Sequence, residues 1–280
     1  MMLYKNRIVN DHEVAISPFD RGYYFGDGVY EVFRFYNGAL FEKDAHYRRL
    51  ERSAEQTRIP LPYPIADIDG NLAQLLRAEK VTEGIIYLQL TRGEAPRGHA
   101  FPKPPAESVL LAYCSEVGRP LQAIRNGIRV IVRPDIRWLR CDLKTLNLLP
   151  NVLAKQEAVE LGAEEVFFHR SGIVTEASSS NVMLVKDDVL YTHPANHLIL
   201  HGITRAVILK LAFRLNLSVR EEPFTLDELR HADEVFITST TAEVTPVIEL
   251  DGVPVADGKP GPVSRRLQGA FEEYVGSLNK

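Results

Sequence analysis

Five short segments of the chain carry residues whose types and spacing could do chemistry. In Arg21-Gly22-Tyr23-Tyr24-Phe25-Gly26-Asp27-Gly28 the glycines let backbone approach another group closely. Taken alone, this segment is a loop leading into a strand. In His46-Tyr47-Arg48-Arg49-Leu50 the spacing puts His46 and Arg49 on one side of a helix, next to its apolar stripe. A guanidinium there suits a buried anion such as phosphate; the plainer alternative is a solvated basic face. Gly202-Ile203-Thr204-Arg205 enters a helix, where unpaired backbone N–H groups and a hydroxyl form an anion site, unless Thr204 is simply a cap. Ser239-Thr240-Thr241 follows a strand and offers a second set of hydroxyl and N–H donors. Lys144 lies in Trp138-Leu139-Arg140-Cys141-Asp142-Leu143-Lys144-Thr145-Leu146-Asn147. Apolar neighbours would free its amine for Schiff-base chemistry; otherwise it is a surface loop lysine.

Singly, each segment has its ordinary structural explanation. Together with Glu176, in Thr175-Glu176-Ala177-Ser178-Ser179-Ser180-Asn181, they match what pyridoxal phosphate requires. A lysine holds the aldehyde, several anchors hold the phosphate, and an acid keeps the pyridine nitrogen protonated so that the ring can act as an electron sink.

The elements that must position these groups are a mixture of strands and helices. Val29–Tyr36 is rich in aromatic and β-branched residues and ends in Asn37-Gly38, a type I′ hairpin signal. Asp44 is placed to cap a helix on which Tyr47, Leu50 and Ala54 share a face. A second helix is expected between Ile65 and Lys80, then strands at Ile85–Leu90 and Val109–Tyr113. Between them runs an irregular, proline-rich stretch from Thr91 to Pro105. The polar segment from Ser115 to Gln122, with Gly118 and Pro120, marks a domain boundary. Beyond it, strands are expected at Gly127–Val132, Val166–Phe168, Val182–Val185, Val189–Tyr191 and Val235–Thr238. Helices are expected at Pro150–Leu161 and Thr204–Leu215, with a further one opened by a capping box at Thr225–Glu228. Asp251-Gly252 reads as a hairpin turn, and Pro262–Leu278 as a closing helix. The expected organisation is a small N-terminal α/β domain over 1–117, a linker over 118–123, and a larger α/β domain over 124–280 carrying Lys144.

Composition excludes several other classes. Of 280 residues, 45% are hydrophobic and 25% charged, the balance of a globular protein rather than a disordered or collagenous one. Basic and acidic residues number 33 and 37, a net charge of −4, which argues against a nucleic-acid partner. Cys114 and Cys141 give neither zinc spacing nor a disulfide framework, so no metal site is expected. No apolar run reaches the length of a membrane span, and no secretory h-region opens the chain; a cytoplasmic protein is expected.

The motifs, in order, resemble those of the fold-type IV pyridoxal-phosphate enzymes, on their D-amino acid aminotransferase branch. They are Asp20-Arg21-Gly22 with Phe25–Glu31, then His46–Leu50, Arg137–Lys144, Val174-Thr175-Glu176 with Ser178–Asn181, His201–Arg205 and Thr238–Pro246. The resemblance runs from Leu3 into the closing helix. It implies a two-domain mixed α/β architecture with the active site between the domains, and pyridoxal 5′-phosphate as cofactor. It makes Lys144 the catalytic, cofactor-linked lysine and Arg49 the phosphate-binding arginine. Ile203, Thr204 and Thr240 become the remaining phosphate ligands, and Glu176 the acid facing the pyridine nitrogen. Tyr30, with Arg97 and His99 from the irregular loop, would hold the substrate α-carboxylate. Gly98 between the last two would loosen that loop. The implied enzyme is a homodimer whose loop reaches the partner's active site. The implied reaction is ping-pong transamination between a D-amino acid such as D-alanine and a 2-oxo acid such as 2-oxoglutarate. Branched-chain L-amino acid aminotransferase and aminodeoxychorismate lyase share the lysine and phosphate ligands and are the alternatives within the family. A catalytically dead binding protein is the alternative outside enzymes, and the intact Lys144 argues against it.

Overall fold

A computed structural model describes residues 1–278 of the chain, so the last two residues of the domain expected over 124–280 lie outside the described residues. The chain divides into two compact units, Met1–Gly118 with Leu143–Asn147, and Arg119–Asp142 with Leu148–Leu278. Lys144, expected in the C-terminal domain, therefore packs with the first unit. Backbone pairing explains it. Thr145 bridges Val29, and the Tyr30 N–H donates to the Lys144 carbonyl at 3.0 Å.

The first unit runs β1 (Met2–Tyr4), β2 (Arg7–Val9), α1 (Arg21–Phe25), β3 (Gly28–Tyr36), β4 (Ala39–Leu40), α2 (Lys43–Thr57), α3 (Ile65–Glu79), β5 (Gly84–Thr91) and β6 (Val109–Glu116). Its sheet is antiparallel, in the order β2-β1-β6-β5-β3-β4. Asn37 and Gly38 close the β3–β4 hairpin with φ of 48° and 80°, the backbone a type I′ turn requires. Successive side chains of a strand face opposite ways, so Val29, Glu31, Phe33 and Phe35 share one face of β3 and all four are buried. Against that face α2 lays the expected stripe of Tyr47, Leu50 and Ala54, and α3 adds Ile68, Leu72 and Leu75.

Two local expectations change. Asp44 is not the cap of α2. Glu42 holds that position in left-handed backbone without a side-chain cap bond, and Asp44 sits in the first turn, where it favours the helix dipole. The segment expected as a plain loop before β3 contains the short helix α1. Asp20 caps it by accepting from the Gly22 N–H at 2.7 Å, and Gly26 ends it at φ 63°, a backbone that costs glycine nothing. The close approach foreseen for this segment occurs at Gly22, where a Cβ would meet the Thr91 side chain at 2.4 Å, and at Gly28, where it would meet Leu146 at 2.6 Å.

The second unit runs α4 (Leu121–Asn126), β7 (Ile128–Pro134), α5 (Leu149–Glu160), β8 (Glu165–Arg170), β9 (Ile173–Ala177), β10 (Asn181–Lys186), β11 (Val189–Thr192), α6 (Ile203–Arg214), β12 (Ser218–Glu221), α7 (Leu226–Arg230), β13 (Glu234–Ser239), β14 (Glu243–Leu250), β15 (Val253–Pro254) and α8 (Pro262–Gly276). Its sheet is mixed, ordered β12-β11-β10-β13-β14-β7-β8-β9, with β15 on β14. β7 lies parallel to both its neighbours. Val182, Leu184, Val235, Ile237 and Val247 supply its core together with Phe224 and Leu229. The capping box of α7 forms as expected: the Thr225 hydroxyl accepts from the Glu228 N–H, and Glu228 accepts from the Thr225 N–H.

Candidate active site

The alternation of β3 puts Tyr30 and Glu31 on opposite faces. Glu31 points into the core and is fully buried, an unusual place for a carboxylate unless it is paired. It accepts hydrogen bonds from Arg49 Nε and Nη2 at 2.7 and 2.9 Å and from His46 Nδ1 at 2.8 Å. The i, i+3 spacing on α2 brings both partners to one carboxylate. Burial alone would raise the Glu31 pKa, but Arg49 and then His46 hold it well below the ordinary carboxylate range. Burial lowers His46 in spite of Glu31. The ring is therefore neutral near pH 7 with its Nδ1–H donating a hydrogen bond to the carboxylate, which leaves the buried Nε2 without a partner among the described residues.

Lys144 is seated beside this cluster. Its N–H donates to Ser53 Oγ at 3.3 Å, and Ser53 stands one helical turn beyond Arg49. Its Nζ lies 4.1 Å from the centre of the Tyr30 ring. Tyr30 stacks on Tyr87 at 5.7 Å, and Tyr87 packs on Tyr113 at 5.3 Å, a row of rings crossing β3, β5 and β6. The structure thus brings Lys144 and Tyr30 together and ties both to the helix that carries Arg49.

Arg97 and His99 stand apart from Tyr30 within the chain. Both are exposed. The Arg97 guanidinium lies 5.1 Å and the His99 ring 5.5 Å from the Phe25 ring. Among the described residues, neither makes a hydrogen bond or ring contact that reaches Tyr30.

In the second unit, Glu176 is buried on β9. Arg137 Nη1 donates to its Oε1 at 2.6 Å, while Asn181 Nδ2 and the Leu200 N–H donate to its Oε2 at 3.1 and 2.9 Å. Burial pushes its pKa up, and Arg137 and the Leu200 N–H pull against that. All three neighbours are donors, so this arrangement is built for an ionised carboxylate. Arg137 is oriented in turn by Asp135, which accepts from its Nε and Nη2 at 3.0 and 2.8 Å and from the Thr175 hydroxyl at 3.0 Å. Asn181 also donates to the Leu200 carbonyl at 2.9 Å. A Cβ at Gly202 would come within 2.0 Å of Asn181 Oδ1, so the carboxylate and the start of α6 are locked to one asparagine. Gly202, not Thr204, is the N-cap of α6. Ile203 and Thr204 open the helix, with Thr204 buried, and their N–H groups have no helical acceptor. Thr240 lies in the turn between β13 and β14.

Glu31, Ser53, Asp135, Arg137 and Asn181 have roles that the sequence analysis does not assign. Glu31 alone carries a readable signal, a charge at an inward position of an aromatic strand. The rest depend on tertiary contacts. Among the described residues, no group of three or more His, Cys, Asp or Glu side chains could hold a metal ion, and no helix is long and apolar enough to cross a membrane.

The first unit thus holds an amine over an aromatic face and a carboxylate-held arginine, and the second a buried acid tied to a helix start. The model of the class IV amino-transferase family matches residues 28–250, and the chain belongs to that family. A D-alanine aminotransferase of Staphylococcus aureus (strain MSSA476) is 50% identical over 269 residues, spanning 96% of this chain and 95% of that protein. Among solved structures, the branched-chain amino acid aminotransferase of Escherichia coli superposes with a TM-score of 0.92 at 29% identity, over 97% of this chain and 93% of that one. A branched-chain amino acid aminotransferase of T.th., solved with pyridoxamine 5′-phosphate, does so with a TM-score of 0.89 at 30% identity, over 95% and 91% of the two chains.

Proposed function

We propose that the protein is a D-amino acid transaminase, moving an amino group between a D-amino acid such as D-alanine and a 2-oxo acid such as 2-oxoglutarate. The observation that carries this is the Lys144 amine held over Tyr30, in a chain half identical almost end to end to a D-alanine aminotransferase. The donor set fits pyridoxal 5′-phosphate. It comprises one amine, one buried carboxylate surrounded by donors, and for the phosphate a guanidinium and a helix start. When bound, the cofactor supplies an aldehyde that takes up amino groups and a ring that withdraws electrons from the substrate Cα.

The first unit contributes Lys144, Arg49 and Tyr30. Lys144 Nζ would hold the aldehyde carbon of the bound cofactor, and the same amine would move the proton at the substrate Cα. Arg49 binds the phosphate with a charge-assisted bond, and the Ile203 and Thr204 N–H groups and Thr240 in the C-terminal domain complete that grip. Glu176 holds the proton at the pyridine nitrogen. Tyr30, with Arg97 and His99 of the partner in a homodimer, binds the substrate α-carboxylate from one side. The acidic net charge favours an enzyme of small molecules over a nucleic-acid binder, and the cytoplasm, where free amino and oxo acids are exchanged, is its place of action.

The test is the hand of the substrate. Losing a partner from a buried charged contact costs about 2–5 kcal/mol, so with 2-oxoglutarate D-alanine should react at least ~30-fold faster than L-alanine. A preference for L-amino acids, branched ones above all, would replace this proposal with the branched-chain alternative. A protein that neither takes up pyridoxal 5′-phosphate nor turns over either hand would be a binding protein.

Glu176→Gln tests the acid. Its amide would set a donor against Arg137, Asn181 or the Leu200 N–H, and it carries no charge for the ring nitrogen. Single-turnover proton abstraction from D-alanine should slow by ~10²-fold, the usual scale for one charge-stabilising group, with cofactor still bound. An unchanged rate would mean that the carboxylate serves another purpose.

A further inference from the structure

The Arg97–His99 segment is exposed and lies outside regular secondary structure, yet its backbone is held from beneath. Arg21 of α1 donates through Nη1 to the carbonyls of Gly98 at 2.6 Å and Ala100 at 3.4 Å, and through Nη2 to that of His99 at 3.4 Å. Three successive carbonyls, that of Gly98 among them, converge on one guanidinium. The fork is oriented by Asp27, whose Oδ2 accepts from Arg21 Nε at 2.8 Å. The same carboxylate takes Arg92 Nε at 2.8 Å and Nη2 at 2.9 Å. Arg92 is fixed at its far side by the Thr57 and Arg58 carbonyls, at 2.8 and 2.6 Å. Phe101, one residue past the three carbonyls, lies with its ring centre 3.7 Å from the Arg92 guanidinium carbon. Phe25 packs against Arg21 at 5.0 Å, and against Arg97 and His99 as described.

The charges explain why the loop must comply. Two buried arginines, Arg21 and Arg92, share the Asp27 carboxylate, so each guanidinium carries its charge out of water with N–H groups that the carboxylate leaves unpaired. Such a charge is tolerated only where acceptors surround it, and here the acceptors are the C-terminal carbonyls of α2 and the loop's own carbonyls. A lysine could not serve in place of Arg21, because only the planar fork reaches Asp27 and three carbonyls together.

We propose that Arg21, Asp27, Arg92, Phe25 and Phe101 are positioning residues that set the geometry of the Arg97–His99 loop and thereby the affinity for the substrate carboxylate. This rests on the carboxylate-binding assignment of Arg97 and His99 made above.

The test uses the full-length holoenzyme with Arg21→Lys, Phe101→Ala, Phe101→Tyr and, as reference, Arg97→Ala. Phe101 is exposed, so its truncation leaves the fold intact if Arg21→Lys does not. Arg21→Lys, which loses hydrogen bonds from a charged group, and Phe101→Ala, which loses a ring packed on a guanidinium, should raise KM for D-alanine by about tenfold or more. Saturating kcat and the visible absorbance of the bound cofactor should stay at parental values. Amide exchange over residues 97–101 should quicken while that of α2 and β3 does not, and Phe101→Tyr, which keeps the ring, should restore the parental KM. If Arg97→Ala raises KM while both clamp variants leave KM and exchange unchanged, the clamp is overturned and the role of Arg97 stands. If the clamp variants lose kcat and cofactor in step with KM, the cluster is only a support of the fold and the proposal is overturned. If Arg97→Ala itself leaves KM unchanged, the carboxylate assignment falls, and the clamp's claim on substrate affinity falls with it.

Discussion

Lys144→Ala should lower D-alanine–2-oxoglutarate transamination by at least ~10²–10⁴-fold, the range for losing a positioned acid–base group, and should abolish the visible absorbance of the lysine-linked cofactor. The segment should keep its place, because the bonds that hold it are main-chain bonds: the Tyr30 N–H to the Lys144 carbonyl, and the Lys144 N–H to Ser53. The variant is therefore expected to melt as the parent does and to bind pyridoxal 5′-phosphate reversibly. It also supplies one half of a complementation experiment. Arg97→Ala subunits keep the lysine and lose the loop arginine. Dissociated and reassociated mixtures of the two variants should exceed either parent variant, because one site of a mixed dimer draws intact parts from both chains. Mixtures no more active than their components would mean that the loop serves its own subunit or none. Near-parental turnover in Lys144→Ala would end the lysine assignment altogether.

Glu31→Gln should be the most damaging of the stability variants. Breaking a buried ion pair by removing one member costs about 3–5 kcal/mol, because Arg49 stays buried without its counter-charge. For a chain of this size that corresponds to a fall in Tm on the order of 10 °C in the cofactor-free protein. The gap should shrink when pyridoxal 5′-phosphate is added, since a phosphate on Arg49 would replace part of the lost charge. The pH dependence follows from the direction of the Glu31 shift. Its folded pKa lies below the ordinary value of 4.5, so its stabilisation is complete above that value and drains away as pH falls below it toward the depressed folded value. The parent–variant difference should stay level from neutrality down to about pH 5 and narrow in stronger acid. Equal melting of the two proteins at pH 7 would show that Arg49 does not depend on Glu31.

What can be read from the sequence is whatever local chemistry decides. Asn37-Gly38 makes its turn because only certain residues tolerate two successive positive φ values. The α2 stripe and the Thr225–Glu228 box follow from spacing alone. What escapes is decided by distant partners. β9 is not legible because Thr175 and Glu176 are poor residues for a buried strand until Asp135, Arg137 and Asn181 satisfy them. α1 combines glycine and aromatics, weak helix formers, and exists because Asp20 and Gly26 cap it. Lys144 follows the boundary segment in sequence, but a β-bridge to β3 decides where it packs. In the same way, Glu31 can be singled out as a charge at an inward position of an aromatic strand, but its pairing with Arg49 and His46 on α2 is a tertiary contact that spacing does not give.

The alternation of β3 separates two tasks that otherwise would constrain one another. Glu31 and its even-spaced companions Val29, Phe33 and Phe35 answer to the interior and to Arg49, while Tyr30 and Val32 answer to the other side of the sheet. Evolution or a protein engineer can therefore alter the face that carries Tyr30 and Val32 while leaving the interior face that holds Arg49 untouched. A one-residue deletion within the strand would do the reverse. It would turn every following side chain over, exchange an aromatic wall for a buried acid, and ruin both tasks in a single step. The strand is open to drift by substitution and closed to drift by length.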